Sequence, residues 1–257
     1  MIEPQEPSLP DATTEARSEP TTVAGASEQI ERHDNGEVKH RYPFVDGELD
    51  GEARSYDEEG RLRELHRFRH GRLEGEAISY TETGQVAQRA LFRDGKLDGE
   101  TVIHDEQGRV AQRLCYRNGK LDGPTEIFNQ GFRVALLGYR DGIQDGEALS
   151  FHDNSRVSVR SQYRAGKLHG PSISYDPAGN PLKRATYQDG DLEGETIEHH
   201  PNGQVRERAF YRRNLLEGEV IRYSEDGTVS ERAHFEAGQP IGEPVKYDEK
   251  GRIQKDG

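Results

Sequence analysis

The chain is predicted to be all-β, a tandem array of 24-residue β-hairpin repeats forming an elongated, twisted antiparallel meander. Three observations predict this. Glycine returns every 24 residues at Gly47, Gly71, Gly95 and Gly119, and again at Gly142, Gly166, Gly190 and Gly238; Asn214 stands in its place once, and the Gly119 to Gly142 step is one residue short. Between the glycines lie short runs with apolar residues two apart, the spacing of one strand face rather than of a helix. Turn-forming residues recur at fixed offsets between those runs. A fixed period of about 20–50 residues marks a repeat architecture in which each copy contacts mainly its neighbours.

Residues 1–33 come first, rich in Pro, Glu, Thr, Ser and Ala, with Glu3, Glu6, Asp11, Glu15, Glu19, Glu28 and Glu31 against only Arg17 and Arg32. They read as a disordered acidic tail, and they have neither the basic start nor the apolar run of a secretory signal. A repeat domain is expected over 34–257. It starts with a half repeat, Asn35 to Asp46, followed by nine repeats, the last cut short at Gly257.

The repeat from Gly71 to Asp94 serves as the pattern. Glu76 to Tyr80 is a first strand with Ile78 and Tyr80 on one face. Thr81 to Gly84 is a turn, glycine being free to take positive φ. Gln85 to Arg93 is a second strand with Val86, Ala90 and Phe92 on one face, and Asp94 to Gly99 turns into the next repeat. The column of Ile78 continues as Val102, Leu149, Ile173, Ile197, Ile221 and Val245, and the second strands end in Phe68, Phe92, Tyr116, Tyr139, Tyr163, Tyr187, Tyr211 and Phe235. These residues are expected to stack on one side of the sheet. At about 4.8 Å per strand, nine hairpins would span on the order of 80–90 Å.

Composition bounds the function. Only 31% of the 257 residues are apolar and the net charge is −13, so a thin core and an acidic surface are expected. Such a surface repels phosphate backbones and anionic headgroups, arguing against nucleic acid and membrane and for a basic protein partner. Cys115 is the one cysteine, which leaves no intramolecular disulfide or cysteine metal cluster. No run of eighteen apolar residues occurs, and a soluble, cytoplasmic protein is expected.

Candidate partner-binding residues fall in two groups. Acids precede the second glycine of each repeat, as Asp50, Glu74, Asp98, Asp122, Asp145, Glu193 and Glu217; they could form a linear strip for a basic partner, or simply tolerate turns and keep an edge soluble. Phe132, Leu136 and Leu137 break the polar pattern in the shortened repeat, and Ser155 replaces an inner-turn glycine in the next. Degenerate repeats are where a specific hot spot could sit, local repacking around the deletion being the alternative.

An arginine column, Arg89, Arg113, Arg160, Arg184, Arg208 and Arg232, is expected on the face opposite the aromatics. It would form a cross-strand ladder with Glu76, Glu100, Glu147, Glu195, Glu219 and Glu243. His104 and His199 replace a first-strand aromatic and are read as packing substitutes, with no metal site and no cofactor expected. Nucleophile-elbow, Walker, zincin and dinucleotide-binding motifs are missing from the sequence, so no enzyme is expected.

Tyr116 to Gly123 (YRNGKLDG), Phe92 to Gly99 (FRDGKLDG), Tyr163 to Gly170 (YRAGKLHG) and Tyr187 to Gly194 (YQDGDLEG), with the inner turn Pro201-Asn202-Gly203, resemble the MORN repeat family. The likeness is closer to the variant found in bacterial proteins of the YwqK antitoxin type, and it covers about 34–257. The chain departs from it in having no tryptophan, in its acidity and in Ser155. The resemblance implies a non-enzymatic interaction scaffold. Its first implied function is an antitoxin or immunity protein neutralising a basic toxin or effector; the alternative is a scaffold or adaptor docking an effector onto a secretion or other assembly. Some MORN proteins touch phosphoinositides, which would make the arginine column a phosphate stripe; the acidic balance favours the ladder. Whether the open sheet ends pair into a dimer is left open.

Overall fold

A computed structural model describes residues 25–254, and every regular element in them is a β-strand. The chain divides into two compact units, one ending at Gly131 and the other beginning at Phe132. The N-terminal unit contains β1 (Ala26–Arg32), β2 (Val38–Val45), β3 (Glu48–Leu49), β4 (Gly51–Tyr56), β5 (Leu62–Arg69), β6 (Arg72–Tyr80), β7 (Val86–Arg93), β8 (Lys96–Leu97), β9 (Gly99–His104), β10 (Val110–Arg117) and β11 (Lys120–Asn129). The C-terminal unit contains β12 (Phe132–Arg140), β13 (Ile143–Phe151), β14 (Val157–Arg164), β15 (Lys167–Tyr175), β16 (Pro181–Gln188), β17 (Asp191–Leu192), β18 (Gly194–His199), β19 (Val205–Arg212), β20 (Leu215–Leu216), β21 (Gly218–Tyr223), β22 (Val229–Glu236) and β23 (Gln239–Lys246). Within each unit all pairings are antiparallel and run between chain neighbours, an open meander of hairpins.

Two kinds of turn alternate. The outer turns, which open each repeat, have two residues at positive φ, such as Asp94 (50°) with Gly95 (77°) and Asn118 (50°) with Gly119 (80°). That is the type I′ geometry, whose twist matches the flanking strands and which favours Asn or Asp followed by Gly. Asn214 takes the glycine's conformation at φ 66°. The inner turns are longer and close through paired backbone bonds, as where Asp57 N–H donates to Arg61 O and Gly60 N–H to Asp57 O, each at 3.0 Å. Ser155 adopts φ 63° in its inner turn, so the missing glycine leaves the turn intact. In the shortened repeat β11 and β12 are joined by two residues, Gln130 (φ 50°) and Gly131 (φ 86°), a tighter connection that accounts for the deletion.

The expectation for residues 1–33 needs correcting. Residues 1–24 lie outside the described residues, but Ala26–Arg32 is a strand paired with Val38–Val45, so the repeats begin before residue 34. Ile30 is the one large apolar residue of that strand, too little for a period-two signal. Its order comes from the ladder with β2.

The expected single stacked face is also corrected. In the repeat from Gly71 to Asp94, Ile78 stands opposite Arg89, while Ala77 stands opposite Ala90 and Gly75 opposite Phe92. The aliphatic first-strand column therefore shares the face of the arginines, and the buried column is made of small residues: Ala53, Ala77, Thr101, Thr125, Ala148, Thr196 and Val220 against Ala90, Leu114, Ser161, Ala185 and Ala209. Arg89 and Phe92 are three residues apart on one strand and so face opposite sides, and the pairing sets Ile78 against the former; the register shift between Ser79 and Tyr80 then moves Val86 opposite Tyr80. The second-strand aromatics do lie opposite the arginine face. Tyr42, Ala53, Phe68 and Leu73 form a core cluster with Phe44, Leu49 and Phe92 packed against it.

Candidate interaction surface

The acidic column before the second glycine is built into the outer turns. Six of these carboxylates are seen to accept the backbone N–H of the first residue of the following outer turn: His70 to Asp50 at 3.1 Å, Asp94 to Glu74 at 2.9 Å, Asn118 to Asp98 at 3.2 Å, Ala165 to Asp145 at 3.3 Å, Arg213 to Glu193 at 2.9 Å and Ala237 to Glu217 at 3.0 Å. The next N–H in the same turns donates to a leucine carbonyl of the preceding repeat, as Gly95 to Leu73 (2.9 Å) and Gly119 to Leu97 (2.7 Å). Both N–H groups of a strained two-residue turn are thereby satisfied. The carboxylates also meet arginines, Arg93 with Asp98 at 3.5 Å, Arg117 with Asp122 at 3.1 Å, Arg140 with Asp145 at 3.4 Å and Arg212 with Glu217 at 3.5 Å. With side-chain exposures of 18% for Asp98 and 15% for Asp122, these groups serve the fold more than they face solvent. His169 occupies the column once, and Asp189 N–H donates to its Nδ1 at 3.4 Å.

The apolar candidates do not form one patch. Phe132 is 58% exposed, whereas Leu136 and Leu137 are half-buried neighbours paired with Leu149 and Ala148 on opposite faces. Beside Phe132, the Arg133 guanidinium lies over the Phe151 ring at 4.8 Å from its centre, a cation–π contact. The Arg–Glu ladder is present, with Arg89–Glu76 at 3.2 Å, Arg113–Glu100 at 3.3 Å, Arg160–Glu147 at 3.4 Å and Arg232–Glu219 at 2.8 Å. His104 and His199 each end a strand with a buried Nδ1 lacking a hydrogen-bond partner. Among the described residues no three His, Cys, Asp or Glu side chains are grouped to hold a metal ion.

The inner turns make a different rim. In the N-terminal unit Asp34, Glu37, Glu58, Glu59, Glu82 and Glu106 are all exposed there. The cations of the same turns are tied down: Arg61 bonds Asp57 at 2.8 Å and Arg109 bonds Asp105 at 2.9 Å. Asp153, Glu225, Asp226 and Glu249 are exposed at the inner turns of the C-terminal unit. Histidine and asparagine sew successive inner turns together. His33 Nε2–H donates to Tyr56 O at 2.9 Å and Asn35 Nδ2–H to Glu58 O at 2.8 Å; His152 with Asn154 and His200 with Asn202 repeat the arrangement. The recurring His-x-Asn spacing in the sequence is the signal that could have revealed it.

Concave space is slight. One open depression around Phe68 is lined by Asp50, Glu52, Arg67, Arg69 and Glu74, charged on nearly every side.

One comparison with known proteins agrees with this build. The family model described as MORN repeat variant matches residues 73–94, 168–189, 192–213 and 216–237. No curated protein matches. Among solved structures, a TcdB2-TccC3-Cdc42 crystal structure aligns at 11% identity and TM-score 0.21 over 86% of this chain, and a TcdB2-TccC3-TEV crystal structure at 10% and 0.23 over 90%. The alignments cover 14% and 16% of those chains, and at such TM-scores they carry no argument. Four of the hairpins match the MORN repeat variant, and the chain is an all-β hairpin-repeat protein with the build of a binding module.

Proposed function

We propose that the chain is a non-enzymatic binding protein of the cytoplasm that captures a basic protein through its inner-turn rim, acting as an antitoxin or immunity protein that neutralises a toxin or effector. One observation carries this reading. The outer-turn carboxylates are engaged in capping, whereas Glu58, Glu82 and Glu106 at the inner turns of the N-terminal unit are exposed, and the arginines of those turns pair with Asp57, Glu59 and Asp105. A rim of one sign steers an oppositely charged partner and raises its association rate, an advantage that salt removes. The reading supplants the outer-turn strip as the place where a basic partner binds.

A second reading, an adaptor joining two proteins, is favoured by the cationic character of the opposite rim in the same unit. The two are separated by the state of the captive. A basic partner, purified alone and in complex, should lose its activity in the complex if the chain is an antitoxin; retained activity would reject that role and leave the adaptor. Reversing charge with E58K/E82K/E106K should slow association in either case.

A further inference from the structure

Three consecutive outer turns of the N-terminal unit carry like charges directly opposite each other. Arg69 stands across from Arg72, Arg93 from Lys96 and Arg117 from Lys120. Such cross-strand pairs repel, yet here they recur in three hairpins running, all six residues exposed. The C-terminal unit keeps one such pair, Arg164 with Lys167, and replaces the others by Arg140 with Ile143, Gln188 with Asp191, Arg212 with Leu215 and Glu236 with Gln239. The cationic row is thus not a requirement of the turn.

The nearby acids do not cancel it. One cation of each pair meets an acid, Arg72 with Asp94 at 3.7 Å, Arg93 with Asp98 at 3.5 Å and Arg117 with Asp122 at 3.1 Å, and Asp98 also accepts a turn N–H. Arg69, Lys96 and Lys120 form no ion pair among the described residues. The paired arginines keep further donors, since a guanidinium has five N–H groups.

We infer that this row is a docking surface for an acidic, extended protein segment carrying a carboxylate at every third residue. Spacing and charge select that occupant. Successive pairs lie two strands apart, about 9.6 Å. A polyproline II chain turns once in three residues and rises about 3.1 Å per residue, so every third side chain returns to the same side after about 9.3 Å. One carboxylate would then reach each cationic pair, with fork-shaped contacts to the arginines. A nucleic acid or an anionic membrane has the sign but not the fit, since a duplex carries one charge per about 1.7 Å of its axis rather than one group per cationic pair.

The test uses the full chain and a fluorescent, proline-rich peptide with glutamate at every third position, titrated by anisotropy. A peptide of the same composition with its glutamates clustered at one end is the comparison. The spaced peptide should bind the more tightly, and K96E/K120E should weaken it by about tenfold, the scale of losing two charge-assisted contacts. K167E in the C-terminal unit should leave binding unchanged. K96Q/K120Q, which only removes charge, guards against misfolding. Unchanged affinity in folded K96E/K120E, equal binding of the clustered peptide, or tighter binding of duplex DNA or phosphatidylserine vesicles would each overturn the assignment. The result is independent of the inner-turn rim, which lies at the opposite ends of the strands.

Discussion

Gly138 shows how much a single position can carry without announcing itself. A Cβ built there would stand 2.5 Å from the Asp145 carbonyl oxygen and 3.4 Å from that of Glu147. Gly138→Ala is expected to destabilise the C-terminal unit by about 1–3 kcal/mol, the cost of overpacking against backbone, read as a lower urea midpoint. It lies inside a strand, off the 24-residue glycine rhythm, and only the backbone approach reveals it. Asp98 is the opposite case, visible in the sequence for the wrong reason. Asp98→Ala should cost about 1 kcal/mol by orphaning the Asn118 N–H, while Asp98→Asn, which keeps an acceptor, should cost less and leave binding of a basic partner unchanged. A large loss of affinity in Asp98→Asn would restore the outer-turn strip as a binding site. The histidines set a pH dependence. Burial lowers the pKa of His66 and of His40, so the unfolded chain, titrating near 6.5, binds the proton more readily. Their contribution to stability is full above about pH 6.5 and erodes as pH falls through that value toward the lowered folded pKa. The urea midpoint should drop between about pH 7.5 and about pH 5.5, and less so in His66→Gln.

At the scale of the hairpin, turns were legible and so was the opposition of arginines and second-strand aromatics, but the face of the first-strand column was not. Outer turns need positive φ at both residues, and the sequence meets that need with Asp-Gly or Asn-Gly in some turns, while His70, Ala165, Arg213 and Ala237 hold the first position in others at φ 48–49°. The face assignment failed because the sequence does not show which residues of two paired strands stand opposite each other, and register shifts such as the one that sets Val86 opposite Tyr80 blur the pattern further. Ile78 lies opposite Arg89 rather than with Phe92. The capping carboxylates were visible as a column, but their partners are 20 residues away on another turn, a distance no local pattern encodes. The first strand escaped notice because Ile30 is its one large apolar residue. The cationic turns make a prediction of their own. Removing the repulsion in K96Q/K120Q should raise stability by about 0.2–1 kcal/mol per pair, measured as a higher urea midpoint, while weakening binding of the acidic peptide less than K96E/K120E does.

Taken whole, the molecule is two meanders built on one rule, in which small residues dominate a narrow buried column and charged residues crowd the turns and one sheet face. Alanine, threonine and serine dominate that column, so the interior is thin and most side chains remain available at the surface. The binding function follows from that surplus, since identical hairpins supply the frame and differences in charge from turn to turn supply the specificity. The 24-residue rhythm made the repeat readable; that the outer-turn carboxylates cap N–H groups, the ground for proposing the inner-turn rim, could be read only from the folded turns. The most direct test is affinity capture from the native host with the wild-type chain, E58K/E82K/E106K and K96E/K120E, quantified side by side at low and high salt. The expected result is one stoichiometric basic protein that high salt releases, that E58K/E82K/E106K fails to hold and that K96E/K120E retains. A principal partner that is acidic, or a basic one held equally well by E58K/E82K/E106K, would contradict it.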